Sequence, residues 1–202
     1  MTTAARRRIY LMRHAQVRYF EGVEPRLVLL TEEGRRQAAA ARDALQEVRF
    51  DRVVTSGLPR TLETAEIVAP HAPPEDEPAF RGTVPLSLPF LGGETIGELF
   101  ARVLPALDRL LAADGWDVAL LVLHGGVNRA ILGRALTGDR VFLGNFEQAP
   151  GCINVLDVDG VGNFIVRAVN HTPYDPSHAA AARETTMEQL WREYLDARSR
   201  RS

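Results

Sequence analysis

The stretch VALLVLHGG, residues 118–126, decides the fold of this sequence. Its six apolar residues, Val118–Leu123, predict a short strand that is buried on both faces of a sheet. The run is far shorter than the roughly 20 residues that a membrane-spanning helix needs. His124 and two glycines stand where the strand ends, and the residues after them predict a helix over 128–136.

Strands and helices alternate on both sides of this stretch. Shorter apolar strands are predicted over 9–12 and 52–55, and each is followed by a helix. The other predicted elements are helices over 31–48, 58–69, 95–111 and 185–198, and a hairpin formed by 153–158 and 164–169. This alternation predicts an α/β sandwich with a mostly parallel central sheet.

Length and composition limit the alternatives. A chain of 202 residues with a formal net charge of −2 predicts one domain over 1–202, cytoplasmic, with no nucleic-acid or membrane partner. All 24 cationic residues are arginine, which excludes a Schiff-base lysine and a P-loop lysine. The single cysteine, Cys152, excludes an intramolecular disulfide. Six prolines predict an irregular segment over 70–93.

Arginine and histidine residues follow three of the predicted strands. Arg13 and His14 end the first, Arg60 lies in the helix after the second, and His124 and Gly125 end the third. Because ligands bind beyond the carboxyl ends of parallel strands, these residues are expected to meet over one crevice. Guanidinium groups match phosphate oxygens, and a neutral imidazole can attack phosphorus. Arginines would supply the positive charge, so no metal or cofactor is expected.

Four motifs then connect the sequence to a known family. They are LMRHA at 11–15, LTEEGRRQA at 30–38, TSGLPRTLETA at 55–65 and LHGG at 123–126. In this order they resemble the signatures of the histidine phosphatase superfamily, in its phosphoglycerate mutase-like branch. The resemblance implies a three-layer α/β/α sandwich that acts on a small phosphorylated substrate. It leaves a homodimer open.

The resemblance also implies a role for each strand-end residue. His14 would be the nucleophile that becomes phosphohistidine, and water would hydrolyse that intermediate. Arg13, Arg60 and His124 would hold the transferring phosphoryl group, with Gly125 beside them. Ser56 precedes a helix and is interpreted as its N-cap.

The sequence departs from the family pattern at three positions. Ala15 replaces the usual glycine, a mild change if its φ is negative. Phe20 replaces an asparagine common in mutase-type members, which favours hydrolysis over transfer. Gly82 stands where the family usually has the glutamate that serves as general acid.

The missing glutamate leaves the acid and the level of activity open. Loss of a general acid typically costs about 10²- to 10⁴-fold in rate. The candidate replacements are Glu75, Asp76, Glu77 and Glu94. We therefore expect a metal-independent phosphatase, whose activity could be reduced because the usual acid is missing. The alternatives are a phosphoglycerate mutase-type phosphotransferase and a phospholigand-binding domain with little turnover.

Overall fold

A computed structural model describes residues 6–82 and 94–199. The strands are β1 (Arg7–Arg13), β2 (Arg52–Thr55), β3 (Glu75–Asp76), β4 (Val118–Leu123), β5 (Ile153–Val158) and β6 (Phe164–His171). The helices are α1 (Glu32–Ala44), α2 (Pro59–Val68), α3 (Ile96–Ala112), α4 (Gly125–Thr137) and α5 (Thr186–Ser199), with a 3-10 turn at Pro78–Phe80. Within these residues, no helix is both long and apolar enough to cross a membrane.

The six strands form one sheet in the order β3-β2-β4-β1-β5-β6. The first four are parallel to one another, whereas β5 runs antiparallel to β1 and β6 antiparallel to β5. The mostly parallel sheet is therefore confirmed, and the predicted hairpin forms one of its edges. In this register Arg13 lies beside Leu123, and Thr55 lies beside Val122. The carboxyl ends of β1, β2 and β4 therefore meet at one edge of the sheet.

The core lies in two layers, one on each face of the sheet. Along β4, Leu120 and Val122 pack toward one layer, while Leu121 and Leu123 pack toward the other. This alternation follows from the two-residue period of a strand. The first layer is completed by residues of α1 and α2, and the second by residues of α3 and α4. The predicted three-layer α/β/α sandwich is confirmed.

Helix α1 holds the loop that leaves β1. Thr31 caps the helix by accepting a hydrogen bond from the Gly34 N–H at 2.9 Å, and its own N–H donates to the Gln16 carbonyl at 3.0 Å. The Gln37 side chain accepts from the Gln16 N–H at 3.0 Å. A Cβ on Gly34 would lie 2.2 Å from the Gln16 carbonyl oxygen, so only glycine permits this approach. The 30–38 motif thus fixes the chain next to His14.

Part of the segment after α2 is more regular than its prolines suggest. Residues 75–80, predicted to be irregular, form the edge strand β3 and the 3-10 turn, and Phe80 is buried. Two residues of β3 pair with β2 in the sheet, and this backbone pairing could not be predicted from the composition of the segment. Residues 70–74 and 81–82 belong to no helix or strand, as predicted, and residues 83–93 of the predicted segment lie outside the described residues.

Candidate active site

One cavity of about 670 Å³ lies at the carboxyl ends of β1, β2 and β4. Its lining includes all five residues predicted for the site, which are Arg13, His14, Arg60, His124 and Gly125. The His14 and His124 rings lie 5.2 Å apart between centroids, at an angle of 67°. We call Arg13, His14, Arg60, His124 and Arg129 the floor of the cavity. Its roof is formed by residues 16–26 and by 186–193 at the start of α5.

His14 is fixed by backbone contacts on every side. Its N–H donates to the Leu123 carbonyl at 2.9 Å, and its carbonyl accepts from the Gly151 N–H at 3.1 Å. The ring Nδ1 lies 2.8 Å from the Ala15 carbonyl, which can only accept a hydrogen bond. Nδ1 therefore carries the proton, and the lone pair of a neutral ring belongs to Nε2.

Electrostatics keep both histidines neutral. Burial lowers the pKa of His14 well below its ordinary value, and the nearby guanidinium groups of Arg60 and Arg13 lower it further. Burial likewise lowers the pKa of His124, with further lowering by Arg60 and by His14 itself. Near neutral pH the site therefore holds an uncharged imidazole beside fixed positive charge, which is the state that an imidazole nucleophile requires.

Ser56 has a role that the sequence did not suggest. The prediction that it caps the second helix is wrong, because Leu58 is the N-cap of α2 and makes no side-chain cap bond. The Ser56 hydroxyl instead shares a 2.8 Å hydrogen bond with Nε2 of His124 and a 3.1 Å bond with the Thr61 hydroxyl. Ser56 therefore sets the plane of the His124 ring.

The three guanidinium groups of the floor each have a nitrogen that makes no hydrogen bond within the described residues. Arg60 donates to the Pro25 carbonyl at 3.0 Å, and Arg129 donates to the Phe146 carbonyl at 2.7 Å. Nε of Arg13, Nε of Arg60 and Nη2 of Arg129 are buried without a hydrogen-bond partner among residues 6–82 and 94–199. Arg129 forms an ion pair with Glu147 at 3.7 Å, whereas Arg13 and Arg60 have no acidic partner within the described residues. Buried cations are costly unless they are paired, so Arg13 and Arg60 favour an anionic ligand. Arg129 was not predicted, since an arginine one turn into a helix carries no signal of its own.

The start of α4 adds uncharged donors. His124 is its N-cap and makes no side-chain cap bond, so the first N–H groups, at Gly125 and Gly126, remain for a ligand. The helix begins at Gly125 instead of the predicted position 128. A Cβ on Gly125 would lie 3.1 Å from Nη1 of Arg129, so the missing side chain lets this guanidinium approach the helix start.

None of the four carboxylates considered as replacement acids lines the cavity. Glu75 accepts from Arg52 and Asp76 from the Thr55 hydroxyl, and both lie on β3, the edge strand beside β2. Glu77 caps the 3-10 turn by accepting from the Ala79 N–H at 3.0 Å. Glu94 forms an ion pair with Arg102.

Gly82 lies against the site. A Cβ on Gly82 would be 2.4 Å from Cγ of His124, closer than real Cβ atoms approach a ring. With His124 in this position, residue 82 must be glycine. Residue 82, where the family usually has its acid, therefore lacks a carboxyl group and has no room for any side chain.

The other two departures are accommodated differently. Ala15 is fully buried and is not among the residues with positive φ, so its methyl group is tolerated. Its N–H donates to the Thr64 hydroxyl at 3.1 Å. Phe20 has a φ of 67°, a conformation that bulky residues rarely adopt, and it lines the roof. Its ring lies 5.8 Å from that of Tyr194 on α5.

Cys152 lies beneath the floor, immediately before β5. Its carbonyl accepts from the Arg13 N–H at 3.1 Å, and its side chain is fully buried. Burial raises the pKa of the thiol to about 12. The group is therefore an uncharged packing residue in the folded protein.

The chain matches a known protein family over most of its length. The family model "Histidine phosphatase superfamily (branch 1)" matches residues 9–83 and 75–171. The chain belongs to the histidine phosphatase superfamily. A curated relative, "Probable 2-carboxy-D-arabinitol-1-phosphatase" from Arabidopsis thaliana, is 26% identical over 214 residues, covering 87% of the chain and 44% of the relative. The chain therefore spans less than half the length of that protein.

Solved structures of histidine phosphatase-like proteins share the fold. The alpha-ribazole phosphatase from Shigella flexneri has a TM-score of 0.70 at 22% identity, over 81% of this chain and 96% of that one. A mycobacterial glucosyl-3-phosphoglycerate phosphatase has a TM-score of 0.68 at 21% identity, over 82% and 99%. Phosphoglycerate mutase from Bacillus anthracis scores 0.68 at 16% identity, over 86% and 96%. At these identities the similarity establishes the fold alone.

Proposed function

We propose that this chain is a metal-independent phosphatase that hydrolyses a small phosphomonoester through a phosphohistidine on His14. One observation carries the proposal. A buried, neutral His14 has its proton held on Nδ1 by the Ala15 carbonyl, in a cavity that is also lined by three guanidinium groups. The curated relative, which is named as a phosphatase, supports the same reaction class.

In the first half-reaction, Nε2 of His14 attacks phosphorus opposite the ester oxygen. The N–P bond forms while the P–O bond to the alcohol breaks, and the alcohol leaves with a proton. The phosphoryl group then resides on His14, whose Nδ1–H continues to donate to the Ala15 carbonyl. That hydrogen bond stabilises the positive charge that develops on the ring.

The floor would stabilise the transferring phosphoryl group. Its three equatorial oxygens carry negative charge in the transition state, and preorganised donors aimed at such charge are the largest single source of catalysis in many enzymes. Arg13, Arg60 and Arg129 line the cavity and bring positive charge to it, and Gly125 offers a backbone N–H. Ser56 on Nε2 of His124 leaves Nδ1 of that ring as the nitrogen for a phosphoryl oxygen.

In the second half-reaction, water attacks phosphorus and His14 departs as the neutral imidazole. Arg60 and Arg13 favour this return, because they lower the pKa of the ring and so disfavour its protonated form. The products are inorganic phosphate and regenerated enzyme, and no metal-bound step is needed.

The binding-domain alternative rests on Gly82. With that position closed, a chain that binds phosphate tightly could turn over only esters of acidic alcohols. Vanadate binding without turnover of any ester would identify that function instead.

The test is hydrolysis of p-nitrophenyl phosphate by the wild type, by His14→Ala and by His71→Ala, in the presence of EDTA. We expect His14→Ala to lose at least about 10⁴-fold in kcat, as removal of a nucleophile does in enzymes of this kind. His71 is exposed and does not line the cavity, so His71→Ala should behave as the wild type.

Chemical trapping adds an independent measurement. Quenching the wild type during turnover should yield one phosphoryl group per chain, labile in acid and stable in base, as expected for phosphohistidine. Full activity of His14→Ala, or a requirement for added metal ions, would overturn the proposal.

A further inference from the structure

The reaction proposed above needs a proton donor for the departing alcohol, and a side-chain carboxyl group that lines the cavity could supply it. Residues 1–5, 83–93 and 200–202, which the structure does not describe, contain no Asp or Glu. Every side-chain carboxylate therefore belongs to the described residues. Two of them line the cavity, Glu24 and Glu193.

Glu193 lies on the face of α5 that covers the cavity. Met187, Leu190 and Glu193 are spaced at three-residue intervals and all line it, so one side of the helix faces the floor. The beginning of this helix is tied to the floor, because Arg13 donates to the Thr186 hydroxyl at 3.1 Å. Phe20 contacts Tyr194, the residue after Glu193, from the opposite side of the roof.

The surroundings of Glu193 suit a group that must carry a proton. Its side chain is partly buried, and this desolvation raises the pKa of the carboxyl above its ordinary value. Glu21 raises the pKa further, while Arg192 and Arg18 oppose the shift without cancelling it. Glu24, by contrast, is exposed. A raised pKa is the property that distinguishes a general acid from a solvated carboxylate.

We propose that Glu193, supplied by the C-terminal helix, donates the proton to the leaving alcohol, a task for which residue 82 has no side chain. As Nε2 of His14 bonds to phosphorus and the P–O bond breaks, the ester oxygen takes the proton of the Glu193 carboxyl. In the second half-reaction the Glu193 carboxylate takes a proton from the attacking water. The acid is thereby restored, and all protons balance. The inference rests on the proposed phosphohistidine route.

The test compares Glu193→Gln with the wild type and with Glu66→Gln, on two substrates of different leaving-group acidity. Glu66 is exposed and does not line the cavity. Formation of the phosphoenzyme is followed in a single turnover, so that only the first half-reaction is measured. p-Nitrophenolate leaves without protonation, whereas the alcohol of butyl phosphate requires a proton. We expect Glu193→Gln to slow phosphorylation by butyl phosphate about 10²-fold or more. With p-nitrophenyl phosphate the change should stay within about threefold, and Glu66→Gln should resemble the wild type on both substrates.

The outcomes separate the two proposals. Equal losses on the two substrates would make Glu193 a binding or structural residue, and no loss on either would remove it from the reaction. Both results would overturn this inference and leave the phosphohistidine route standing. If the wild type forms no phosphoenzyme with p-nitrophenyl phosphate and none with butyl phosphate, both proposals are overturned together. A loss confined to butyl phosphate would establish Glu193 as the acid.

Discussion

The floor and the roof of the cavity differ in burial, in charge and in how their side chains are held. On the floor, His14, Arg60 and His124 are each at most 5% exposed, and backbone groups or buried side chains fix their positions. In the roof, α5 has no buried residue, and Trp191 is 44% exposed. The roof is held by ring contacts and by a few polar bonds to the floor. We infer that the floor holds the nucleophile and the phosphoryl group, while the roof faces the leaving alcohol and supplies its proton.

The largest expected effect comes from removing a floor cation and comparing it with a roof cation. Arg60→Met should lower kcat/KM for p-nitrophenyl phosphate by about 10³-fold, because one of the aimed positive charges is lost. Arg18→Met removes an exposed cation of the roof, whose charge is screened by solvent, and should cost less than about tenfold.

The stability of the fold should change little in Arg60→Met, in contrast to its activity. Arg60 is buried with an unpartnered Nε, so replacing it by an apolar side chain removes a desolvation cost. Urea unfolding should therefore show no decrease in the free energy of unfolding greater than about 1 kcal/mol. A loss of several kcal/mol would mean that Arg60 holds the fold together, and the distinction between floor and roof would fail.

An effect of intermediate size concerns pH. The folded protein holds His14 and His124 neutral, with pKa values well below the ordinary 6.5, whereas the unfolded chain protonates them near that value. Below pH 6.5 the unfolded state therefore binds more protons, and stability falls as the pH falls. Each histidine contributes up to about 1.4 kcal/mol per pH unit in this window.

Urea unfolding at pH 7, 6 and 5 measures this slope. His124→Asn should reduce it by about half, because one of the two buried histidines is gone. His71→Asn, at an exposed position, should leave it unchanged. A slope unaffected by His124→Asn would show that the floor does not hold neutral histidines.

The smallest effect is expected in the roof, at Phe20. Glycine at this position relieves a positive φ, worth roughly 1 kcal/mol, and loses a ring contact of similar value. Phe20→Gly should therefore leave the free energy of unfolding within about 1 kcal/mol of the wild type. KM for p-nitrophenyl phosphate should rise about two- to fivefold with kcat unchanged, as for a loss of uniform binding. A larger fall in kcat than in affinity would place Phe20 in the chemistry.

The sequence predicted four of the five floor residues, all but Arg129, because their placement at strand ends depends on local rules. An apolar run such as Val118–Leu123 forms a buried strand, and a polar residue directly after it must lie at the strand end. Parallel pairing then brings His14, Arg60 and His124 together. The glycine at 34 also belongs to a recognisable motif, although the approach of the Gln16 carbonyl that requires it appears only in three dimensions.

The remaining features depend on tertiary contacts that leave no local pattern. A serine before a helix favours a cap, and nothing near Ser56 in sequence indicates that it bonds to a ring 68 residues away. Gly82 could be seen to lack a carboxylate, but its approach to His124 could not. Glu193 lies on an ordinary amphipathic helix, and only the packing of that helix over the cavity distinguishes it from other surface glutamates.

The burial of Cys152 makes the protein suitable for a chemical measurement of opening. Its thiol is the chain's one cysteine, so each molecule reacts with a thiol reagent once. In the folded state the group is inaccessible and, with a pKa of about 12, almost entirely protonated. Labelling therefore requires local unfolding around Cys152. The rate of labelling reports the equilibrium population of these open molecules. Vanadate, bound to the closed form alone, would slow that labelling by the factor set by its concentration and dissociation constant.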